Sequence, residues 1–224
     1  CQLTLDAAEI VLKNIESVPM FDGAKTISYD DGVADGRINY IPQSVIDSYL
    51  DEVSKQGIHT DLVKSSGLKV VYTPLNGTGN KPVRAILKKI GVEDVTVVPE
   101  QEYPDGNFPT CPFPNPEIKE ALAKGLELCN VVKPDLLLAT DPDCDRVGIA
   151  VPSDNGYELF TGNEVGAMLL EYICSERTKM GTMPADPVAV KTIVTTDIAA
   201  KIAKEYGVKL IEVLTGFKYI GDKI

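Results

Sequence analysis

Four short apolar runs, at Leu68–Tyr72, Val95–Val98, Leu136–Ala139 and Val147–Val151, most constrain how this chain can fold. Amphipathic segments at about Pro82–Ile90 and Pro116–Cys129 separate the first three. Apolar runs of strand length alternating with helices form βαβ units around a largely parallel sheet, so the chain is α/β. The alternation resumes with a helix over about Gly162–Ser175, a strand at Val188–Lys191, a helix at Asp197–Tyr206 and a strand at Lys209–Val213. The turn-rich stretch Ser153-Asp154-Asn155-Gly156 marks the junction between these two series.

Ahead of the sheet, Leu5, Ala8, Leu12 and Ile15 line one face of a helix over Leu5–Ser17 that begins near Thr4 and Asp6. From Asp22 to Asn39 the glycines at 23, 32 and 36 and the Asp30-Asp31 pair predict a loop or exposed short strand, a candidate linker. A further helix is expected over Pro42–Lys55, with Val45, Ile46, Tyr49, Leu50 and Val53 on one face.

The stretch Leu136-Leu-Leu-Ala-Thr-Asp-Pro-Asp-Cys-Asp-Arg-Val147 sets Asp141, Asp143 and Asp145 at alternate positions directly after an apolar strand. Ligands of open α/β sheets bind beyond the carboxyl ends of strands. Three carboxylates so close repel one another unless a cation gathers them, and an all-oxygen donor set suits magnesium. Arg146 would bind the same anionic ligand. A solvated acidic turn is the alternative; an EF-hand is not, because Arg146 and Pro152 stand where its glycine and final acid belong.

Net charge is −11, which disfavours a nucleic-acid partner. No window approaches 18 uninterrupted apolar residues, so no membrane partner is expected. The cysteines at 1, 111, 129, 144 and 174 form no C-x-x-C pair, and a reduced cytoplasmic setting is expected. His59, the single histidine, follows a helix end and is expected to be exposed or partly packed, without a catalytic role.

The D-x-D-x-D-R loop closely resembles the metal loop of the α-D-phosphohexomutases, the superfamily of phosphoglucomutase and phosphomannomutase. The run Thr73-Pro-Leu-Asn-Gly-Thr-Gly-Asn-Lys-Pro82 resembles the opening loop of that family's second domain. Val98-Pro-Glu-Gln-Glu102 and Pro114-Asn-Pro-Glu117 are similar to its bacterial phosphoglucomutase/phosphopentomutase branch. Leu159-Phe-Thr-Gly-Asn-Glu164, Val190-Lys-Thr192 and Leu214-Thr-Gly-Phe-Lys218 resemble segments of the third domain. The motifs keep their order from about residue 40 to the end.

The resemblance implies three-layer α/β/α domains with mixed, largely parallel sheets. It implies that Asp141, Asp143 and Asp145 bind Mg2+ and that Arg146 stabilises phosphoryl oxygens. Lys191 corresponds to a lysine near the substrate, and Thr215, Gly216, Phe217 and Lys218 to a sugar-contacting loop. Phe217 stands where relatives carry His or Trp, and Cys144 where relatives often have Gly or Ala; its thiol is expected to point away from the ion. The Asn76–Asn80 loop lacks a phosphate-loop spacing and is expected to be a structural strand-to-helix turn.

The implied activity is an intramolecular phosphotransfer that interconverts hexose 1- and 6-phosphates through glucose 1,6-bisphosphate. The phosphoserine loop (T-A-S-H-N-P type), the Gly-Glu-x-Ser loop and the R-x-S-G-T loop are not found here. The expectation is therefore an internal portion of such an enzyme, inactive alone and partnered by the enzyme's remaining domains. Its parts would be 1–40 (tail of domain I and linker), 41–154 (domain II) and 155–224 (start of domain III). Phosphomannomutase and phosphopentomutase are the near alternatives. A non-catalytic magnesium/phosphosugar module is one rival. A nucleotide-sugar glycosyltransferase is another, disfavoured by the lack of Trp and by 6% aromatic content, since it would stack a base.

Overall fold

In a computed structural model, which describes residues 3–23 and 25–223, the chain divides into two compact units, residues 44–176 and residues 1–43 with 177–224. Cys1 lies outside the described residues.

Helix α1 (Leu5–Glu16) forms as its periodicity predicts, with Thr4 as N-cap. The expected loop over Asp22–Asn39 instead contains a helix, α2 (Tyr29–Ala34). Ser28 explains it: its Oγ accepts from the Asp31 amide at 3.1 Å, and Asp30 and Asp31 sit in the electropositive first turn. Gly32 lets that turn pack on Ile27 and Ile38, since a Cβ there would lie 2.6 Å from Ile38 Cδ1.

The unit of residues 44–176 follows, with α3 (Gln43–Ser54) at its start and then α4 (Thr60–Ser66), which the sequence reading did not anticipate. Strands β1 (Lys69–Thr73), β2 (Asp94–Val97), β3 (Leu136–Thr140), β4 (Val147–Ser153) and β5 (Gly156–Phe160) form one sheet in the order β2-β1-β3-β4-β5. Helix α5 (Asn80–Ile90) links β1 to β2, and α6 (Ala123–Val132) precedes β3. Strand β1 is parallel to both its neighbours, β2 and β3, whereas β3-β4 and β4-β5 are antiparallel.

Strand alternation sends Val71, Leu137, Ala139 and Ala150 to one face, where they pack with Leu122, Cys129 and partly buried Leu126 and Val132 of the α6 region. The opposite face carries Val70 and Tyr72, covered by Val63 of α4 and Val83, Leu87 and Ile90 of α5. These are the three α/β/α layers expected, and burial on both faces is why the central strands read as continuous apolar runs.

Two expectations change in detail. The helix expected over Pro116–Cys129 begins only at Ala123. Ahead of it Ile118, Ala121 and Leu122 make tight turns, each amide donating to the carbonyl three residues back. Asn115 starts these turns, its Oδ1 accepting from the Glu117 amide at 3.0 Å. Ser153–Gly156 is the tip of the β4-β5 hairpin, with Ser153 paired to Gly156, so the sheet continues past it to Phe160.

Helix α7 (Gly162–Lys179) carries the chain from this unit into the other. A reciprocal cap opens it: Thr161 N donates to Glu164 Oε2 at 2.8 Å and Glu164 N to Thr161 Oγ1 at 3.3 Å. In the second unit β6 (Val188–Thr192), α8 (Ile198–Glu205) and β7 (Lys209–Val213) form a parallel βαβ unit, followed by α9 (Phe217–Gly221). Among the described residues no helix is long and apolar enough to cross a membrane, and Cys111, Cys129, Cys144 and Cys174 form no disulfide.

Candidate functional site

The acidic loop closes the β3-β4 hairpin, between the paired residues Thr140 and Val147. It stands at the carboxyl end of β3, beside that of its parallel neighbour β1. Asp141 organises it. Its carboxylate is 1% exposed; Oδ1 accepts from the Asp145 and Arg146 amides at 3.0 and 2.9 Å, and Oδ2 from Arg146 Nε at 2.9 Å. Burial alone would raise the Asp141 pKa, but the Arg146 amide and guanidinium outweigh it and hold the group below the usual carboxylate range.

Asp143 and Asp145 are exposed, and one carboxylate oxygen from each of the three aspartates falls within a 4.8 Å cluster. Three carboxylates against one guanidinium leave the loop two negative charges in excess, matching a divalent ion. The all-oxygen donors fit magnesium. Cys144 is not a member of the cluster; its Sγ sits beside Gly79, 3.0 Å from where a Cβ would stand. It holds φ +64°, a left-handed conformation that a side chain disfavours.

The Pro74–Asn80 loop turns from β1 into α5 and forms the seat on which the acidic loop rests. Thr78 N and Oγ1 both donate to the Pro142 carbonyl, at 2.8 and 3.1 Å. A Cβ on Gly77 would lie 2.3 Å from Pro142 Cα, and one on Gly79 2.6 Å from the Tyr72 hydroxyl. Those glycines therefore serve close approach. Beneath them the buried Tyr72 hydroxyl and Thr140 Oγ1 are 2.9 Å apart, and burial pushes the Tyr72 pKa up to about 12.

A cleft of about 400 Å3 opens beside the loop, walled by Asp141, Pro142, Asp143 and Arg146 on one side and Phe113, Pro114 and Asn115 on the other. With Nε turned to Asp141, the Arg146 guanidinium keeps its two Nη groups without a hydrogen-bond partner among the described residues, and the side chain is 52% exposed. The cleft thus joins a cation-gathering edge to a bidentate anion donor. Sequence reasoning missed the wall at Phe113–Asn115, whose signal was the Pro-Asn-Pro-Glu run itself.

The expected substrate residues lie in the other unit. Lys191 is 6% exposed at the end of β6, which rules out a strand-end lysine pointing to water. Its Nζ meets Glu212 Oε2 at 2.5 Å, Thr195 O at 3.1 Å and Asp197 Oδ1 at 3.5 Å. Thr215 and Gly216 form the turn into α9; Phe217 is 62% exposed, and Lys218 Nζ stands 5.0 Å from the Tyr219 ring centre. His59 is partly packed, with Nε2 2.8 Å from Glu176 Oε2 and an edge contact to Tyr172.

Removal of one loop charge has opposite effects on stability and binding. Partial burial and then the charges of Asp141 and Asp143 raise the Asp145 pKa. A raised folded-state value means this group's stabilising share is present below about pH 4 and lost as pH rises through that value. Asp145→Asn is therefore expected to stabilise the metal-free chain at pH 7 by about 0.5 kcal/mol. It should also weaken magnesium binding. Thermal melts with and without magnesium check both, and a variant less stable than the parent in metal-free buffer contradicts the repulsion argument.

Sheet order, the two helical layers and the hairpin loop define an α/β/α architecture of the phosphohexomutase kind. The chain belongs to the phosphoglucomutase/phosphomannomutase family: residues 47–155 match its α/β/α domain II and residues 161–224 its α/β/α domain III. Phosphoglucomutase of Staphylococcus saprophyticus is 33% identical over the whole chain, which covers 40% of that protein. Phosphoglucomutase of Staphylococcus aureus MRSA252 is also 33% identical over the whole chain, covering 39% of its length. The chain thus spans about 40% of the length of the curated relatives it matches. In fold it resembles a phosphoglucomutase/phosphomannomutase family protein of Burkholderia thailandensis, with a TM-score of 0.63 at 19% identity over 86% of this chain and 39% of that one.

Proposed function

We propose that this chain is part of a phosphoglucomutase, a cytoplasmic enzyme that interconverts glucose 1-phosphate and glucose 6-phosphate through glucose 1,6-bisphosphate. The observation that carries the proposal is the gathering of Asp141, Asp143 and Asp145 next to the free Nη groups of Arg146 at one cleft. The 33% identity to two curated phosphoglucomutases supports glucose as the sugar. Residues 1–40 serve as the tail of domain I and a linker, 41–154 as the metal-loop domain and 155–224 as the sugar-facing start of domain III. The remaining domains of the enzyme are the partners of this chain.

In this reading Asp141, Asp143 and Asp145 hold Mg2+, which when bound supplies Lewis-acid polarisation of a phosphoryl oxygen. Arg146, positioned by Asp141, donates its Nη groups to phosphoryl oxygens as charge builds on them. Lys191 contacts the phosphosugar, and Thr215, Gly216, Phe217 and Lys218 line the sugar. No group in the chain takes the part of the phosphoserine, so the chain alone does not turn over.

Calorimetry of magnesium binding, in the presence of glucose 1,6-bisphosphate, tests the loop. The parent chain should bind, and Asp143→Ala, which alters an exposed carboxylate and leaves in place the three bonds that Asp145 and Arg146 donate to Asp141, should not. The full-length enzyme should convert glucose 1-phosphate to glucose 6-phosphate and lose that activity with the same substitution. Equal binding by parent and variant, or full-length turnover that ignores the substitution, defeats the proposal.

A further inference from the structure

The surroundings of Lys191 divide into fixed and replaceable partners. Lys191 and Glu212 are register partners on adjacent parallel strands, and Glu212, though its side chain is 52% exposed, is anchored by that strand and meets Nζ with Oε2 at 2.5 Å. The Thr195 carbonyl is also fixed. Thr195 N donates to Thr192 O at 3.0 Å, and the two threonine hydroxyls lie 3.1 Å apart, locking the turn that presents it. Asp197 differs. Its side chain is 95% exposed, it lies 3.5 Å from Nζ, and it makes no side-chain cap on α8, which it precedes.

An ammonium has three N–H groups, and here all three have acceptors. A substrate oxygen can therefore reach Lys191 only by replacing one of them. The exposed, long contact to Asp197 contributes least, because water and salt compete for it. Glu212 also raises the Lys191 pKa, more than any other neighbour, and so keeps the charge in place.

We infer that Glu212 and the Thr195 carbonyl form a rigid seat that aims the Lys191 ammonium, while Asp197 is a displaceable counter-ion whose place a phosphosugar oxygen takes. The inference rests on the proposal that Lys191 contacts substrate, and it makes Glu212 a positioning residue. A charge aimed by a partner on the neighbouring strand costs less reorganisation on binding than a free lysine would.

Steady-state kinetics of the full-length enzyme, with thermal melts of each variant, test this. Lys191→Met should lower kcat/KM, and its silence would overturn the substrate contact itself and the inference with it. Glu212→Gln should lower kcat about 10²-fold, the scale of a misaimed group, yet add nothing in a Lys191→Met background. Asp197→Ala should lower KM about twofold to fivefold, the scale of an exposed ion pair, with kcat unchanged. If Lys191→Met is damaging but Glu212→Gln is additive with it, or Asp197→Ala raises KM, the seat and the placeholder are wrong while the substrate contact stands. Asp197 is exposed, so its variant keeps the test decisive even where Glu212→Gln does not fold.

Discussion

Asp141→Ala is expected to unfold the acidic loop as well as empty it of metal. The substitution strips the acceptors from two amides and from Arg146 Nε at one stroke. Leaving buried donors unpaired costs about 1–3 kcal/mol, and breaking a buried ion pair more. Because the Arg146 side chain is half exposed and rehydrates, the net loss should be about 2–4 kcal/mol. For a chain of this size that lowers the melting temperature by roughly 5–15 °C. Asp141→Asn, which keeps one acceptor oxygen, should lose less. Asp143→Ala should leave the melting temperature near that of the parent while abolishing magnesium binding. Calorimetry alongside melting separates the two kinds of aspartate, and equal melting temperatures for Asp141→Ala and Asp143→Ala would show that Asp141 has no organising role.

Gly77→Ala is expected to disable the site without touching a ligand. The added methyl would stand 2.3 Å from Pro142 Cα and 2.5 Å from Pro142 O, both backbone atoms of the acidic loop. Neither can rotate away, so one loop must move. Overpacking of this kind costs about 1–3 kcal/mol. Loss of a supporting contact weakens metal affinity by about 10–100-fold. Gly106, with nothing within 4 Å of its would-be Cβ, is the control, and Gly106→Ala should bind magnesium like the parent. If Gly77→Ala binds equally well, the seat has no part in shaping the loop.

Much of this was legible in the sequence because the physics was local. Leu136–Thr140 and Lys209–Val213 announce themselves as strands by apolar runs between turn residues, and α5 by its periodicity and its stop at Gly91, which holds φ +100°. The alternation of the aspartates was enough to expect their cluster. What stayed hidden depends on distant neighbours or on single side chains. Strand β5, Gly-Tyr-Glu-Leu-Phe, opens on the last glycine of the turn-rich Ser153–Gly156 stretch, which hides its start, and it forms by pairing along the edge that β4 offers. Helix α2 rests on one serine in a glycine-rich stretch. Gly77 and Gly79 were visible as a turn, but the segment that fills the space above them lies more than sixty residues onward. Glu212 shows nothing in sequence that links it to Lys191; strand register makes the pair.

The bond from Thr78 to Pro142 has a consequence for the order of folding. Although the acidic loop is a handful of consecutive residues, its support crosses 64 positions of chain, and β1 must align with β3 before that support exists. Contacts of such separation form late, since closing the intervening loop costs entropy that only the completed sheet offsets. Magnesium affinity should therefore rise in step with the last phase of refolding, which makes a chelation-sensitive dye a clock for completed topology rather than for early collapse.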